Sequence, residues 1–195
     1  MAVARRTQDE RSAATRALLL DATISCLVEE GYGGTTTTRV AERAGVSRGA
    51  QVHHFHTRAE LVASAVERVA AQRAAELLRE TGRLPRGRER TRTALDLLWR
   101  SHSGDLFQAV LELWVAARTD AELRAALTRT EVVLQEQILA FCRRLFGPAG
   151  ERPGFDASIA VALDAMRGLA VLRALDDHAP EVQWPGVRER LLDLF

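Results

Sequence analysis

Apolar residues recur every three or four positions along most of this chain, the spacing that places them on one face of an α-helix. The spacing holds from residue 17 to 27, resumes from 61 to 78, and continues through residues 95–114 and 123–145. Glycines, prolines and candidate helix caps separate these stretches. The pattern predicts an all-α fold.

Residues 35–60 predict two short helices joined by a tight turn at Gly45. A hydroxyl among Thr35, Thr36 and Thr37 would cap the first helix, and Ser47 would cap the second. A glycine that ends one short helix, followed two residues later by a capping serine, is typical of a helix-turn-helix motif. The second helix of such a motif enters the major groove of double-stranded DNA. We expect DNA contacts from Thr36, Thr37, Thr38, Arg39, Ser47, Arg48, Gly49, Ala50, Gln51, Val52, His53, His54 and Arg58.

The same region resembles the DNA-binding domain of the TetR family of bacterial repressors. The resemblance lies in T-T-x-x-V-A-x-x-A-G-V-S-R-G, then H-H-F, then T-R-x-E-L, and it covers residues 11–70. In the family's commonest pattern an apolar residue and a tyrosine stand where this chain has Gln51 and Val52, and that tyrosine usually reaches a phosphate. Two alternatives remain open for Gln51: it is partly buried one turn before Phe55, or it reads an adenine edge.

The resemblance implies a repressor that occupies a palindromic operator until a small-molecule effector, bound in a second domain, reorients the recognition helices. In this scheme Arg48 and His53 contact base edges, while Ser47, Thr37, His54 and Arg58 contact phosphates. It implies residues 1–10 as a flexible tail, 11–73 as a three-helix DNA-binding domain, and 74–195 as a larger helical domain for effector binding and dimerisation.

The middle helices are where the family forms its effector pocket. Candidates there are Trp99, His102, Phe107, Val110, Trp114, Phe141 and Met166. Taken alone, aromatic residues at helical spacing belong more often to a core than to a ligand site.

A helix predicted over residues 155–177 is apolar on nearly every face between residues 159 and 175. Such a helix must be covered on more than one side, and a second copy of the chain supplies the cover economically. We expect a homodimer with Leu163, Leu169, Leu172 and Leu191 at its interface. A final helix is predicted over residues 186–195.

The overall charge and composition do not by themselves indicate a nucleic-acid-binding protein. The 27 basic residues are all arginine, and they balance 26 acidic residues to a net charge of +1. Any nucleic-acid surface must therefore be a local cluster of arginines. Residues 82–93 carry five arginines and suit either a solvated loop or a phosphate-binding arm.

The same sequence argues against export and against the membrane. The N-terminal residues include acids and have no apolar core of a signal peptide, and no uncharged apolar run is long enough to span a bilayer. Cys26 and Cys142 lie far apart within apolar helical patterns, as reduced core thiols do. We expect a cytoplasmic protein.

Two motifs match patterns of a hydrolase site and a metal site, but their surroundings argue against both roles. Gly45–Gly49 matches the G-x-S-x-G pattern of hydrolases, but that chemistry needs a strand before the serine, and a helix is predicted there. Adjacent His53 and His54 diverge around a helix and lack further ligands at helical spacing. We expect no enzyme activity, metal or cofactor. A small-molecule-binding protein with a vestigial helix-turn-helix remains the principal alternative.

Overall fold

The computed structural model describes residues 7–80, 84–102, 104–173, 175–176 and 178–195. Within these ranges the regular structure is helical, which confirms the predicted fold class. The α-helices are α1 (Gln8–Gly34), α2 (Thr37–Ala44), α3 (Arg48–His54), α4 (Arg58–Glu80), α5 (Arg88–His102), α6 (Asp105–Ala116), α7 (Ala121–Phe146), α8 (Phe155–Leu172) and α9 (Ala179–Leu191). Short 3₁₀ turns follow α7 at Gly147–Glu151 and α9 at Leu192–Leu194. No helix in the described part of the chain is long and apolar enough to cross a membrane.

The first helix begins earlier than the predicted tail allows. Residues 1–6 of that tail lie outside the described residues, whereas residues 8–10 already belong to α1. Thr7 starts the helix with a capping box: its hydroxyl accepts from Glu10 N at 3.2 Å, and the Glu10 carboxylate accepts from Thr7 N at 2.8 Å. Two backbone donors of the first turn are thereby satisfied.

Near the other end of the chain, the boundary between α8 and α9 differs from the predicted boundary. The helix predicted over 155–177 ends at Leu172, and the last helix begins at Ala179 instead of residue 186. Pro180 lies in the first turn of α9, where its missing N–H costs no hydrogen bond. The helix also accommodates Pro185 in its interior.

Contacts divide the described chain into two compact units. The first comprises the described residues up to 69 together with 112–130, and the second comprises 70–111 and 131–195 within the described ranges. The core of the first unit joins α1, α2, α3 and α4 through Leu19, Leu20, Ala22, Cys26, Val40, Phe55, Leu61 and Ala65.

Both free cysteines are buried, and burial raises the pKa of the Cys142 thiol to about 12, as expected for an inert core residue.

The core of the second unit is built by α5, the end of α7, α8 and α9. Trp99 stacks on Trp184 with ring centroids 5.1 Å apart, and Trp184 Nε1 donates to Asp96 Oδ1 at 2.8 Å. Arg188 donates to both oxygens of the same carboxylate, at 3.0 and 2.9 Å. This buried tryptophan pair and its ion pair join α5 to α9.

Three of the four leucines expected at a dimer interface pack in this core instead. Leu163, Leu169 and Leu191 are all buried within the second unit, so they are not available to a second chain. Only Leu172 of that set is exposed, at 36%. Burial contradicts the predicted interface role of Leu163, Leu169 and Leu191, while the dimer itself stays a prediction.

Candidate nucleic-acid interface

The turn between α2 and α3 has the geometry that the sequence predicts. Gly45 adopts φ 65° and ψ 31°, a left-handed conformation that a residue with a side chain rarely adopts. Its N–H donates to Glu42 O at 3.1 Å, and Val46 N donates to Ala41 O at 3.0 Å, which closes the end of α2. The chain then reverses within two residues and enters α3.

Hydroxyl caps begin both short helices. Thr36 is the residue of the threonine run that caps α2, with its side chain accepting from Arg39 N at 3.2 Å. Ser47 caps α3 by accepting from Ala50 N at 3.2 Å. Both caps were predicted from residue type alone, because they depend on contacts within one helical turn.

The residues of α3 divide into an outward face and an inward face. Arg48, Gly49, Val52 and His53 are exposed, and Ser47 is exposed just before them. Val52 is 46% exposed, although it is apolar. Ala50 and His54 are partly buried, and Phe55, at the end of the helix, is buried in the core. We define the outward set of Ser47, Arg48, Gly49, Val52 and His53 as the reading face.

Gln51 does not belong to the reading face. Its side chain is only 2% exposed, and its Nε2 donates to the carbonyl oxygen of Phe55 at 2.8 Å. The amide is thus used inside the protein, to satisfy a carbonyl at the end of α3. Of the two alternatives for Gln51 the structure supports burial, and the expectation of a base contact is corrected.

Histidines 53 and 54 lie edge to face at the end of α3, with ring centroids 5.3 Å apart. Burial lowers the pKa of His54, and the neighbouring His53 and Arg16 lower it further. His54 is therefore a neutral hydrogen-bonding group at neutral pH. The His56 ring turns back toward Val52 O at 2.9 Å, and the described residues contain no cluster of ligands that would hold a metal ion.

The arginines of α2 are neutralised by two acids at the end of α1. Arg39 pairs with Glu30, and Arg43 pairs with Glu29 at 2.5 Å. Arg39 nevertheless keeps 53% of its side chain exposed. Thr38 is exposed and Thr37 is partly buried on the same helix. Glu29 and Glu30 therefore offset the charge of the two arginines on α2.

Arg58 is partly buried against Tyr32, a contact that the sequence did not suggest. Its guanidinium carbon lies 3.7 Å from the centroid of the Tyr32 ring, and its Nη2 donates to Tyr32 O. The guanidinium stacks on the ring and bonds a carbonyl, whereas its buried Nε has no hydrogen-bond partner among the described residues. The structure thus gives Arg58 contacts within the protein, and its expected phosphate contact stays a prediction.

Arg16 is a residue beside the reading face that the sequence reasoning missed. It is exposed on α1, and its guanidinium carbon lies 5.1 Å from the Phe55 ring centroid. Its charge also acts on His54, whose pKa it lowers. No local pattern marks Arg16, because its position depends on the packing of α1 against α3.

The residues expected to line an effector pocket differ in how far they are buried. Trp99, Phe141 and Met166 are buried in the core of the second unit, and Trp99 Nε1 is buried without a hydrogen-bond partner among the described residues. His102, Phe107 and Val110 are partly buried in that unit. Trp114 is also partly buried and falls within the 112–130 part of the first unit.

His102 is held as a neutral imidazole. Its Nδ1 lies 2.8 Å from Leu98 O, which only accepts, so the proton is on Nδ1 and Nε2 is left as an acceptor. The ring packs on Phe107 with centroids 4.6 Å apart. Burial lowers the pKa of His102 to about 4. Trp99, three residues earlier on α5, carries the buried Nε1–H that has no partner among the described residues.

Comparison with known proteins connects this geometry to a family. Residues 19–65 match the family model described as bacterial regulatory proteins, tetR family. The chain is 29% identical, over 171 residues, to an uncharacterized HTH-type transcriptional regulator of Mycobacterium tuberculosis, covering 87% of this chain and 88% of that protein. It is 34% identical over 126 residues to the HTH-type transcriptional repressor AcnR of Corynebacterium efficiens, covering 64% of this chain and 62% of AcnR.

A solved structure shares the fold along nearly the whole chain. It is the transcriptional regulator FadR from Bacillus subtilis in complex with stearoyl-CoA, with a TM-score of 0.66. The match covers 92% of this chain and 98% of that chain at 14% identity, so it concerns the fold alone.

Proposed function

The chain belongs to the tetR family of bacterial regulatory proteins, and from that premise we propose that it represses transcription by occupying a palindromic operator until a small molecule releases it. The observation that carries the proposal is the exposed reading face on α3, presented by a glycine turn and a serine cap. Repression rather than activation is supported by the name of AcnR, which is a transcriptional repressor.

The first turn and the outward side of α3 would read the DNA sequence. Arg48 has an exposed side chain at the position where recognition helices contact base edges. Its guanidinium can donate to both major-groove acceptors of guanine. His53 would donate or accept beside it. Val52 takes the place of the family's usual tyrosine and offers an apolar contact for a thymine methyl group.

Phosphate contacts would position the helix without reading sequence. Ser47 and His54 flank the reading face, Thr37 begins α2, and Arg16 adds a charge from α1. Hydroxyls, imidazoles and guanidinium groups all bind phosphate oxygens. Arg16 thus joins Arg58 as a cation that we assign to the backbone.

We infer that the active species is a dimer formed by α8 and α9. Val161 and Val171 are 54% and 55% exposed on α8, Leu175 just beyond it is 88% exposed, and Val182 on α9 is 78% exposed. These residues and Leu172 form an apolar stripe that a second copy would cover, since each buried aliphatic side chain contributes about 1.5–3 kcal/mol. A two-fold axis through this stripe would pair two reading faces and make the operator a near-palindrome.

The effector would bind against the Trp99–His102 face of α5. The unpartnered Nε1–H of Trp99 requires an acceptor, and the Nε2 of His102 requires a donor. An apolar molecule that carries one neutral polar group meets both requirements, with Phe107 and Met166 as apolar walls. The stearoyl-CoA complex of FadR is an example of the same fold binding a ligand that carries a long apolar acyl chain.

An enzymatic function is less well supported than DNA binding. Ser47 is not a suitable nucleophile, because its oxygen accepts the capping hydrogen bond of α3 and a helix precedes it. The matched relatives are transcriptional regulators rather than enzymes. A regulator that acts on a bacterial genome works in the cytoplasm, and we place the protein there.

Selection of duplexes from a random library by the purified protein tests the proposal. A repressor of this kind selects one near-palindromic sequence, and a variant with Arg48→Ala and His53→Ala keeps its dimeric state but selects none. A small-molecule-binding protein with a vestigial motif enriches no sequence, and that result would reject DNA reading.

A further inference from the structure

The end of α1 meets three other segments of the first unit at Tyr32. Tyr32 lies just after Gly31, where the regular helix is interrupted by a backbone with φ 65° and ψ −176°. Around it lie the start of α4, the end of α6 and the residue before α7. We call Tyr32, Arg58, Glu112 and Asp120 the Tyr32 junction.

The two hydrogen-bond donors of Tyr32, its backbone N–H and its phenol, each bond to an acid. The backbone N–H of Tyr32 donates to Glu112 Oε1 at 2.8 Å, and its phenol donates to Asp120 Oδ2 at 2.9 Å. Asp120 also caps α7, because its Oδ1 accepts from Leu123 N at 2.9 Å. One carboxylate therefore binds α1 and the first turn of α7 together.

Arg58 completes the junction from α4. Its guanidinium stacks on the Tyr32 ring and donates to Tyr32 O, so the tyrosine is bonded through its backbone N–H, its carbonyl, its phenol and its ring face. Such charge-assisted bonds are stronger than neutral ones and are directional. They restrict both the position and the rotation of α1 against residues 112–120.

Gly31 lets the Glu112 carboxylate approach this closely. A Cβ at Gly31 would lie 2.7 Å from each carboxylate oxygen, and its φ of 65° is itself unfavourable for other residues. The glycine and the carboxylate are thus matched to each other. Residues 112–130 belong to the same compact unit as α1–α3.

Glu112 and Asp120 lie on segments that continue into the second unit along the chain. Residues 105–111 of α6 and 131–146 of α7 are in that unit, whereas 112–116 and 121–130 of the same helices are in the first. Within the first unit, the Tyr32 junction joins Glu112 of α6 and Asp120, the residue before α7, to α1 and α4 through directional bonds.

We propose that Tyr32, through Glu112, Asp120 and Arg58, is a positioning residue that holds the reading face in register with the corner between α6 and α7, and so sets the half-site spacing that the dimer accepts. The inference rests on the proposed function. Tyr32 itself contacts no base in this proposal. It acts by fixing the orientation of α1–α3 relative to the corner between α6 and α7.

The test compares Tyr32→Phe with wild type on three kinds of duplex. They are a single half-site, the palindrome that the wild type selects, and the same palindrome with one base pair inserted or removed at its centre. Phenylalanine keeps the ring under Arg58 and removes only the phenol bond to Asp120. We expect unchanged half-site binding, and a preference for the original spacing that falls about fivefold or more, as expected for one lost hydrogen bond per subunit.

Glu112→Ala is the second variant, because Glu112 is exposed and alanine is favoured in a helix. It should lower the same spacing preference without affecting a half-site. Asp21→Asn is the matched control: it weakens the Asp21–Arg68 pair, with contacts of 3.0 and 3.2 Å between α1 and α4, away from the junction. The control should retain the wild-type spacing preference.

A merely structural role for Tyr32 predicts a different result. Binding to half-site and palindromes would then fall in parallel with the thermal midpoint, and this would overturn the proposal. Wild-type spacing preference in both junction variants would also overturn it. If the wild type itself selects no palindrome, the proposed function fails before the junction variants are compared, so the two failures are distinguishable.

Discussion

The side-chain amide of Gln51 donates a hydrogen bond of 2.8 Å to the carbonyl oxygen of Phe55, at the end of the recognition helix. Phe55 is itself buried among residues of α1 and α4. The pair therefore secures the C-terminal end of α3 to the core, while the reading face on the other side of the helix stays exposed.

Replacing Gln51 with alanine should lower stability and leave sequence preference unchanged. The change removes a buried hydrogen bond and opens a cavity, which together cost about 2–4 kcal/mol of the free energy of unfolding. Urea denaturation measures the loss, and duplex selection measures the preference. Loss of an adenine preference at one operator position, with normal stability, would restore the base-reading role.

Replacing Arg48 with alanine should cost about 1–3 kcal/mol of binding free energy and relax preference at one position in each half-site. Arg48 is exposed in the first turn of α3, so stability should hardly change. Gel shifts on the selected palindrome and its single-base variants make the measurement. Equal weakening on all duplexes, with a lower salt dependence, would identify Arg48 as a phosphate contact.

Replacing Leu172 with arginine should dissociate the dimer and abolish tight operator binding, because a charge would be buried at the centre of the apolar stripe. Val132→Arg provides a matched control on α7, where the valine is 61% exposed. Sedimentation velocity at micromolar concentration reports the oligomeric state. A wild-type monomer that binds the palindrome tightly would contradict the dimer.

His102 should make the protein lose stability in mild acid. Its pKa in the folded protein is lowered from 6.5 to about 4, so the unfolded chain takes up the proton first as the pH falls. The stability that depends on neutral His102 is complete above pH 6.5 and is lost between 6.5 and about 4. Relative to His102→Gln, the wild type should lose about 1–3 kcal/mol across this window. Parallel pH profiles of the two proteins would show that His102 is solvated.

Tyr32 should have the opposite signature at alkaline pH. Burial, followed by the hydrogen bond to Asp120, raises the pKa of Tyr32 from 10.0 to about 12. The folded state thus retains a proton that the unfolded chain has lost, and stability declines as the pH rises through this interval. Tyr32→Phe should lack this part of the decline. Spectroscopic titration of the phenol, which is the only tyrosine in the chain, gives an independent measurement.

Local sequence determined the elements that present the reading face. The caps at Thr36 and Ser47, the left-handed turn at Gly45 and the helical periodicity each depend on residues within about one helical turn. Their chemistry is therefore legible from residue type and spacing. The all-α class and the place of the helix-turn-helix follow directly.

Tertiary structure alone decided which side chains remain available for function. Gln51 and Arg58 are used internally because Phe55 and Tyr32 are brought to them by packing, and Arg16 stands beside α3 because α1 crosses it. In the same way, the second unit's core absorbs Leu163, Leu169 and Leu191 and leaves the valines of α8 exposed. Periodicity shows that a helix has an apolar side. When nearly all sides are apolar, only the arrangement of neighbouring helices determines which one is left for a partner.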